Sequence, residues 1–332
     1  MASGQSWTSS ETLAQTATGY DLRPLSTGEV LDRTFQLYRS RFALFAGLAA
    51  LPAAISFIGG AVQVLTLEGD RVINGRHMAV NAHPVATVIT SVASALIYIV
   101  LYGITQAATT WAVSEIYLGR AAALSSAWSA AMAHWFRYVR VTLRQYWSIF
   151  WAPAILFGGG VALLVTLRKF DSSGWFIVAA FLFLLGTAAF VYGIFAAIRV
   201  SLAVPASVIE SLNANPAVRR SMDLLVERKV RIFLLGLLIV SLSFIIGIAL
   251  SPLQLIGVTA QGTERYVLQM LHLTGTFLSS MVIGPVGAIA LCLFYFDERV
   301  RHEGFDIEFL MQRAGGPPPS PVVEGTTSPE PA

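Results

Sequence analysis

Apolar residues fall along this chain in long unbroken runs rather than at the spaced positions of a soluble core. Six stretches contain no Asp, Glu, Lys or Arg: residues 42–67, 84–114, 145–167, 172–198, 232–250 and 266–296. A helix crosses the hydrocarbon core with roughly 20 apolar residues, so each stretch suits one span. Ser251-Pro252 predicts the end of the fifth span, because proline removes a helical donor and clashes with the preceding turn. Gly284-Pro285 predicts a kink in the sixth, which neighbouring helices can accommodate. Trp147, Trp151, Trp175 and Tyr266 sit near span ends, as an interfacial aromatic belt would.

The polar segments between the runs resemble one another. TGEVLDRTFQLYRSRFALF begins at Thr27, AAALSSAWSAAMAHWFRYV at Ala121 and NPAVRRSMDLLVERKVRIF at Asn215. Aligning Phe35, Trp128 and Met222, at offsets of 93 and 94, also superposes Leu31, Leu124 and Val218. Arg33 then meets Arg220, and Arg41 meets His134 and Arg228. AVSEIYLG, with Glu115, and ASVIESLN, with Glu210, form a further pair at an offset of 95. The pattern predicts three units, each an amphipathic juxtamembrane helix followed by a two-span hairpin. The alternative is a general likeness among juxtamembrane helices.

In the first segment Ser26 and Glu29 have capping-box spacing. Leu31, Phe35, Tyr38 and Phe42 share one helical face; Glu29, Asp32, Arg33, Gln36 and Ser40 share the other. Glu29 and Arg33, four apart, can pair. Such a helix suits the membrane surface. It is either a collar that binds lipid or a partner, or an elbow docked on the span bundle, and the elbow is favoured.

Composition removes the soluble classes. Only 12% of the 332 residues are charged and 55% are hydrophobic, against about 25% charged in soluble domains. Mean hydropathy is +0.66. The single Cys292 excludes an internal disulfide framework and a Cys-rich metal site. Of the 22 Lys and Arg residues, all but Arg71, Arg76, Arg168, Lys169 and Arg265 fall on the side of the termini. The positive-inside rule therefore places both termini in the cytoplasm. The pI of 9.1 reflects these arginines and implies no nucleic-acid partner. Residues 1–21 lack an apolar signal-peptide core, and 313–332 are rich in Pro, Gly, Ser and Thr. Both read as disordered tails flanking a membrane domain over 22–312.

The chemistry-bearing residues are few. Arg33, Arg39, Arg137, Arg140, Arg144, Arg219, Arg220, Arg228 and Lys229 are candidate contacts for anionic lipid headgroups or a membrane partner protein. Each such residue is attracted to an anionic leaflet by about 1 kcal/mol. Determination of topology alone is the alternative. Within the six stretches the one residue among His, Asp, Glu, Lys and Arg is His272, read as interfacial. That argues against proton- or sodium-coupled transport built on buried carboxylates. The histidines show no HExxH spacing, and Walker A, GxSxG and CxxC motifs are missing, so neither catalytic residues nor a metal or cofactor is expected. Cys292 reads as a packing residue. Gln63, Tyr98, Tyr102, Gln106, Tyr192 and Gln254 either line a cavity or form interhelical hydrogen bonds of about 0.6 kcal/mol. Gly59-Gly60 and Gly158-Gly159-Gly160 permit close packing or bending. Asp297, Glu298, Arg299, Arg301, Glu303, Asp306 and Glu308 interleave opposite charges. They read as a solvated, salt-bridged cap on a short exposed helix ended by Gly304, in preference to a metal or acid–base site.

Three stretches together carry a family resemblance: RPLSTGEVLDRTFQLYRSRF (residues 23–42), PASVIESLNANPAVRRSMDLL (205–225) and FYFDERVRHEGFDIEFL (294–310). They resemble the glycerophosphoryl diester phosphodiesterase membrane-domain family of bacteria over roughly residues 22–312. In some relatives this region is fused to a soluble catalytic barrel. Nothing here has the length for that barrel, so the resemblance implies a stand-alone membrane module with no catalytic residue.

The sequence thus predicts an all-α, polytopic integral membrane protein with six transmembrane helices and three juxtamembrane amphipathic helices. The expected role is a non-enzymatic module that organises a partner or anionic lipid at its cytoplasmic face. The alternative is a transporter or flippase of a lipid or small amphiphile, using a cavity between the repeats. Self-association to a homo-oligomer is allowed by the glycine-rich faces, and no motif demands it.

Overall fold

The computed structural model describes residues 25–73, 76–81, 83–167, 174–225, 229–260 and 262–303. Both tails, Arg228, Gly304, Asp306 and Glu308 lie outside the described residues, as do the side chains of Trp175, Lys229 and Glu303.

Ten helices are described in chain order: α1 (Thr27–Ser40), α2 (Phe42–Val62), α3 (Pro84–Tyr117), α4 (Leu124–Ala133), α5 (Trp135–Leu167), α6 (Gly174–Val200), α7 (Ala203–Ile209), α8 (Ala214–Leu224), α9 (Lys229–Thr259) and α10 (Gly262–Glu303). Six of them, α2, α3, α5, α6, α9 and α10, are long and apolar enough to cross a membrane. This is an all-α polytopic membrane fold. Half of the most apolar window of α10 is buried, and 39% of that of α2, against none of that of α3. Spans 1 and 6 pack on each other, with span 2 against span 1 and span 5 against span 6, while spans 3 and 4 pair with each other and join the rest chiefly through span 2. The short helices lie at the end of the bundle that also carries the two ends of the described chain: Leu25 N–H donates to Asp297 Oδ1 at 2.6 Å. We call this the terminal face.

The three juxtamembrane helices stand where the repeat places them. The first two lead into odd-numbered spans through aligned junction residues. Arg41 has φ −129° and ψ 36°, and His134 has φ −129° and ψ 26°. The carbonyl of each accepts from the amides three and four residues on: Leu44 and Phe45 in one case, Arg137 and Tyr138 in the other. Matching backbone geometry at aligned positions favours repeated units over a general likeness. The third junction, at Arg228, is outside the described residues.

The capping box at Ser26 and Glu29 is formed, with Ser26 N–H donating to Glu29 Oε2 at 2.7 Å. The buried stripe of α1 differs from the expected one. Val30, Thr34, Leu37 and Tyr38 are buried against α10, whereas Phe35 and Phe42 are exposed. The helix is an elbow docked on the bundle. Its buried face is rotated because Thr34 enters the core by donating its hydroxyl to the Val30 carbonyl, 2.7 Å away. Burial pushes the Tyr38 phenol up, and its Oη donates to the Val282 carbonyl at 2.7 Å.

The span prolines do not end their helices. α9 continues past Pro252 to Thr259. Proline leaves the carbonyl four residues back without its amide donor; here Ser251 Oγ donates to that carbonyl, Ile248 O, at 2.8 Å. Pro52 in α2 is served across the bundle, where Thr105 Oγ1 in α3 donates to Leu48 O at 3.4 Å. Pro153 frees Ile149 O, which Gly193 of α6 approaches so closely that a Cβ there would stand 3.2 Å away. α10 continues through Pro285 without a break in the helix.

One element was not foreseen. Span 1 ends in a π-helical turn, Gln63–Leu67, and an antiparallel hairpin follows, β1 (Glu68–Ile73) with β2 (Arg76–Asn81), Glu68 opposite Asn81 and Ile73 opposite Arg76. The dipeptide Asn74-Gly75 between the strands is a strong sequence signal for such a hairpin.

Candidate functional site

The spans do not close into a sealed bundle. α9 packs along α10 but meets α6 only sparsely. Between them lies a cleft of about 950 Å³, walled by residues of α2, α3, α6, α9 and α10. That volume is at the upper end of ordinary ligand sites. Several wall residues are also exposed outward, among them Phe190 and Ile194 of α6 and Leu237 and Val240 of α9. The cleft therefore opens sideways toward the surrounding lipid.

Its wall is mostly apolar, with two polar strips at helical spacing. On α3, Tyr98, Tyr102 and Gln106 follow at intervals of four, so they share one face. The rings of Tyr98 and Tyr102 stack at 5.7 Å, and Gln106 Nε2 donates to Tyr102 Oη. On α10, His272, Thr276, Ser279 and Ser280 form the second strip. His272 Nδ1 donates to the Leu250 carbonyl at 3.2 Å, and Thr276 Oγ1 donates back to its own helix at His272 O. At 1.5 Å per residue, Tyr98 and Thr276 each lie about 21 Å from the start of their helices. Among the described lining residues there is no Asp, Glu, Lys or Arg. His272, read from sequence as interfacial, is thus half-buried on a cleft wall. The α3 strip was visible in the sequence. The α10 strip was missed because Ser and Thr in spans usually turn back on their own helix.

The other in-span polar residues do different work. Gln63 Nε2 donates to Ser91 Oγ between spans 1 and 2 at 2.9 Å. Tyr192 packs edge-on against Trp151, and Gln254 is exposed. Cys292 is buried with Sγ 3.6 Å from the Thr110 carbonyl, a packing position as read.

At the terminal face the described part of the acidic–basic motif after span 6, Asp297 to Arg301, is not a solvated cap. Residues 297–303 continue α10, and Asp297 and Glu298 are fully buried side chains. Arg231, at the start of span 5, pairs with Asp297 at 3.0 Å and Glu298 at 3.3 Å. Arg301 pairs with Asp297 at 3.1 Å. Both arginines also donate to the Leu25 carbonyl, at 2.9 and 2.6 Å. Next to this set, Arg220 grips Glu210 with Nε and Nη2, and Tyr295 Oη donates to the same carboxylate. Both Asp297 oxygens face a guanidinium, and Oδ1 also accepts from a backbone amide. Glu298 Oε1 faces Arg231, and its Oε2 lies 3.5 Å from His302 Nε2. Buried charge is tolerated where it is paired. Sequence alone showed alternating signs and not that five chain segments converge there.

The nine candidate basic contacts separate accordingly. Arg220 belongs to the network. Arg33 is half-buried and donates to Tyr117 Oη at 3.4 Å. Arg137 donates to the carbonyl of Ser211, a non-glycine residue held at φ 56°, and to Tyr138 Oη. Arg39, Arg140, Arg144 and Arg219 are exposed; Arg140 lies 4.1 Å over the Phe136 ring. Arg228 and the Lys229 side chain lie outside the described residues.

Among the described residues no group of three or more His, Cys, Asp or Glu is placed to hold a metal ion. Comparison with protein-family models, with curated proteins and with solved structures gives no match for this chain.

Proposed function

We propose that this protein holds a membrane amphiphile in the cleft between its spans, as a non-enzymatic lipid-handling or lipid-transferring module of a bacterial cytoplasmic membrane, with its termini in the cytoplasm. The observation that carries the reading is the sideways-open cleft of about 950 Å³ with polar strips in a largely apolar wall. An acyl chain would fill the apolar wall, and a polar end would find Tyr98, Tyr102, Gln106 and the α10 hydroxyls. The motif that resembles the phosphodiesterase membrane-domain family, FYFDERVRHEGFDIEFL, contributes Asp297, Glu298 and Arg301 to the terminal network. This supports reading that resemblance as a shared scaffold and not as shared catalysis.

Filling the cleft tests the reading. Gly236 and Gly247 line it, and a Cβ on either meets nothing within 4 Å. Gly236→Phe with Gly247→Phe is expected to leave folding intact. Native mass spectrometry of the detergent-extracted wild type should show a retained amphiphile that the filled variant lacks. A wild type that carries none, or a filled variant that carries as much, rejects the cleft as a binding site. The accessory reading keeps Arg39, Arg140, Arg144 and Arg219, whose exposure supports it. It gains if changing those four to Gln strips a partner or anionic lipid from the purified protein while the cleft variant keeps it.

A further inference from the structure

We infer that the cleft selects a neutral amphiphile, one whose polar end is a hydroxyl or ester and carries no phosphate; a diacylglycerol is the representative chemistry. The inference rests on the cleft being a binding site and adds the class of ligand.

Two observations carry it. First, no Asp, Glu, Lys or Arg lines the cleft among the described residues. An anionic headgroup drawn between the spans would lose water and meet no Lys or Arg among the described lining residues, and unpaired charge in hydrocarbon is strongly unfavourable. Arg199, between the lining residues Ile198 and Ser201, turns to Met222 Sδ at 3.6 Å. Arg231, next to the lining residue Ile232, is committed to Asp297, Glu298 and Leu25 O. Second, the polar strips retain unused hydrogen-bonding capacity. Tyr98 Oη and the hydroxyls of Ser279 and Ser280 have no hydrogen-bond partner among the described residues, although all three line the cleft. Tyr102 Oη accepts from Gln106 and keeps its own proton to give. Uncharged donors and acceptors placed in an apolar wall match a neutral polar end, which needs its hydrogen bonds met on leaving water.

The ligand class is tested with the full-length chain in detergent micelles by native mass spectrometry, with dioleoylglycerol and dioleoylphosphatidylglycerol added in turn at equal concentration. The Gly236→Phe, Gly247→Phe variant gives the binding that does not involve the cleft. The expected result is cleft-dependent retention of dioleoylglycerol at least tenfold above that of dioleoylphosphatidylglycerol. Tyr98→Phe with Ser279→Ala and Ser280→Ala should cut dioleoylglycerol retention about tenfold, the size of a few modest hydrogen bonds. Because those hydroxyls have no internal partner, thermal stability should not move. Equal or preferred cleft-dependent binding of the phosphatidylglycerol overturns the neutral-ligand inference and leaves the cleft reading standing. Undiminished dioleoylglycerol binding in the hydroxyl-deleted variant also overturns it. Retention of neither lipid in a cleft-dependent way rejects the cleft reading itself, and this inference with it.

Discussion

The two ends of α10 differ in how deeply they are buried. In its second half Ile289, Leu293, Phe294, Tyr295 and Phe296 are at most 1% exposed, packed among α1, α3 and α7, and the helix runs directly into buried carboxylates. In its first half Val267, Leu271 and Leu278 are about half exposed and the hydroxyls border an open cleft. Both halves are apolar, so hydropathy does not separate them. In lipid, an exposed Leu costs little, and helix association comes instead from close packing and polar contacts. The terminal half has both. The first half packs closely at Leu273 and Gly275 and gives Thr276, Ser279 and Ser280 to the cleft wall, which continues along α10 to Leu291.

The comparison is broken most severely at the network. Asp297→Ala leaves Arg231, Arg301 and the Leu25 amide facing an empty position. The expected loss is about 3–5 kcal/mol, read as a large drop in thermal unfolding temperature in detergent. A loss below about 1 kcal/mol would mean the charges are not what fixes this end. Gly60→Val comes next. A Cβ at Gly60 would sit 2.6 Å from Leu273 Cδ2, where spans 1 and 6 meet, so overpacking of about 1–3 kcal/mol is expected by the same assay. Gly158→Val, where a Cβ meets nothing within 4 Å, is the matched control and should stay near wild type.

Removing a donor from a proline-freed carbonyl is a smaller perturbation. Ser251→Ala and Thr105→Val should each cost about 0.6 kcal/mol, the usual worth of a hydrogen bond between or within spans. Denaturant unfolding in mixed micelles measures it, and a loss of several kcal/mol would show that Pro252 or Pro52 is held far less securely than the geometry implies. Smallest of all is Tyr98→Phe, within about 0.5 kcal/mol of wild type. If it destabilised as much as Gly60→Val, the cleft hydroxyls would be part of the scaffold and not of a site.

How much could be read in advance depends on the kind of signal. Span number and position followed from uncharged runs. The juxtamembrane helices followed from periodicity, and the alignment of Arg41 with His134 anticipated two junctions of nearly equal backbone angles. The helix end at Pro252 was misplaced, because the compensating donor is a serine whose hydroxyl direction no pattern reveals. The motif from Asp297 was misread for a related reason. Charges at i and i+4 look alike on a solvated helix and on one whose partners arrive from residues 25, 210 and 231.

Sequence by itself determined that the chain spans a membrane six times, which segments do so and where the surface helices lie. Those properties depend on local runs of apolar residues and on periodicity, both of which are written in consecutive positions. Only the tertiary structure decided which charges are buried and which spans stand apart. It also decided which polar residues face a common space, because each of these depends on groups distant in sequence meeting, or failing to meet, across the bundle.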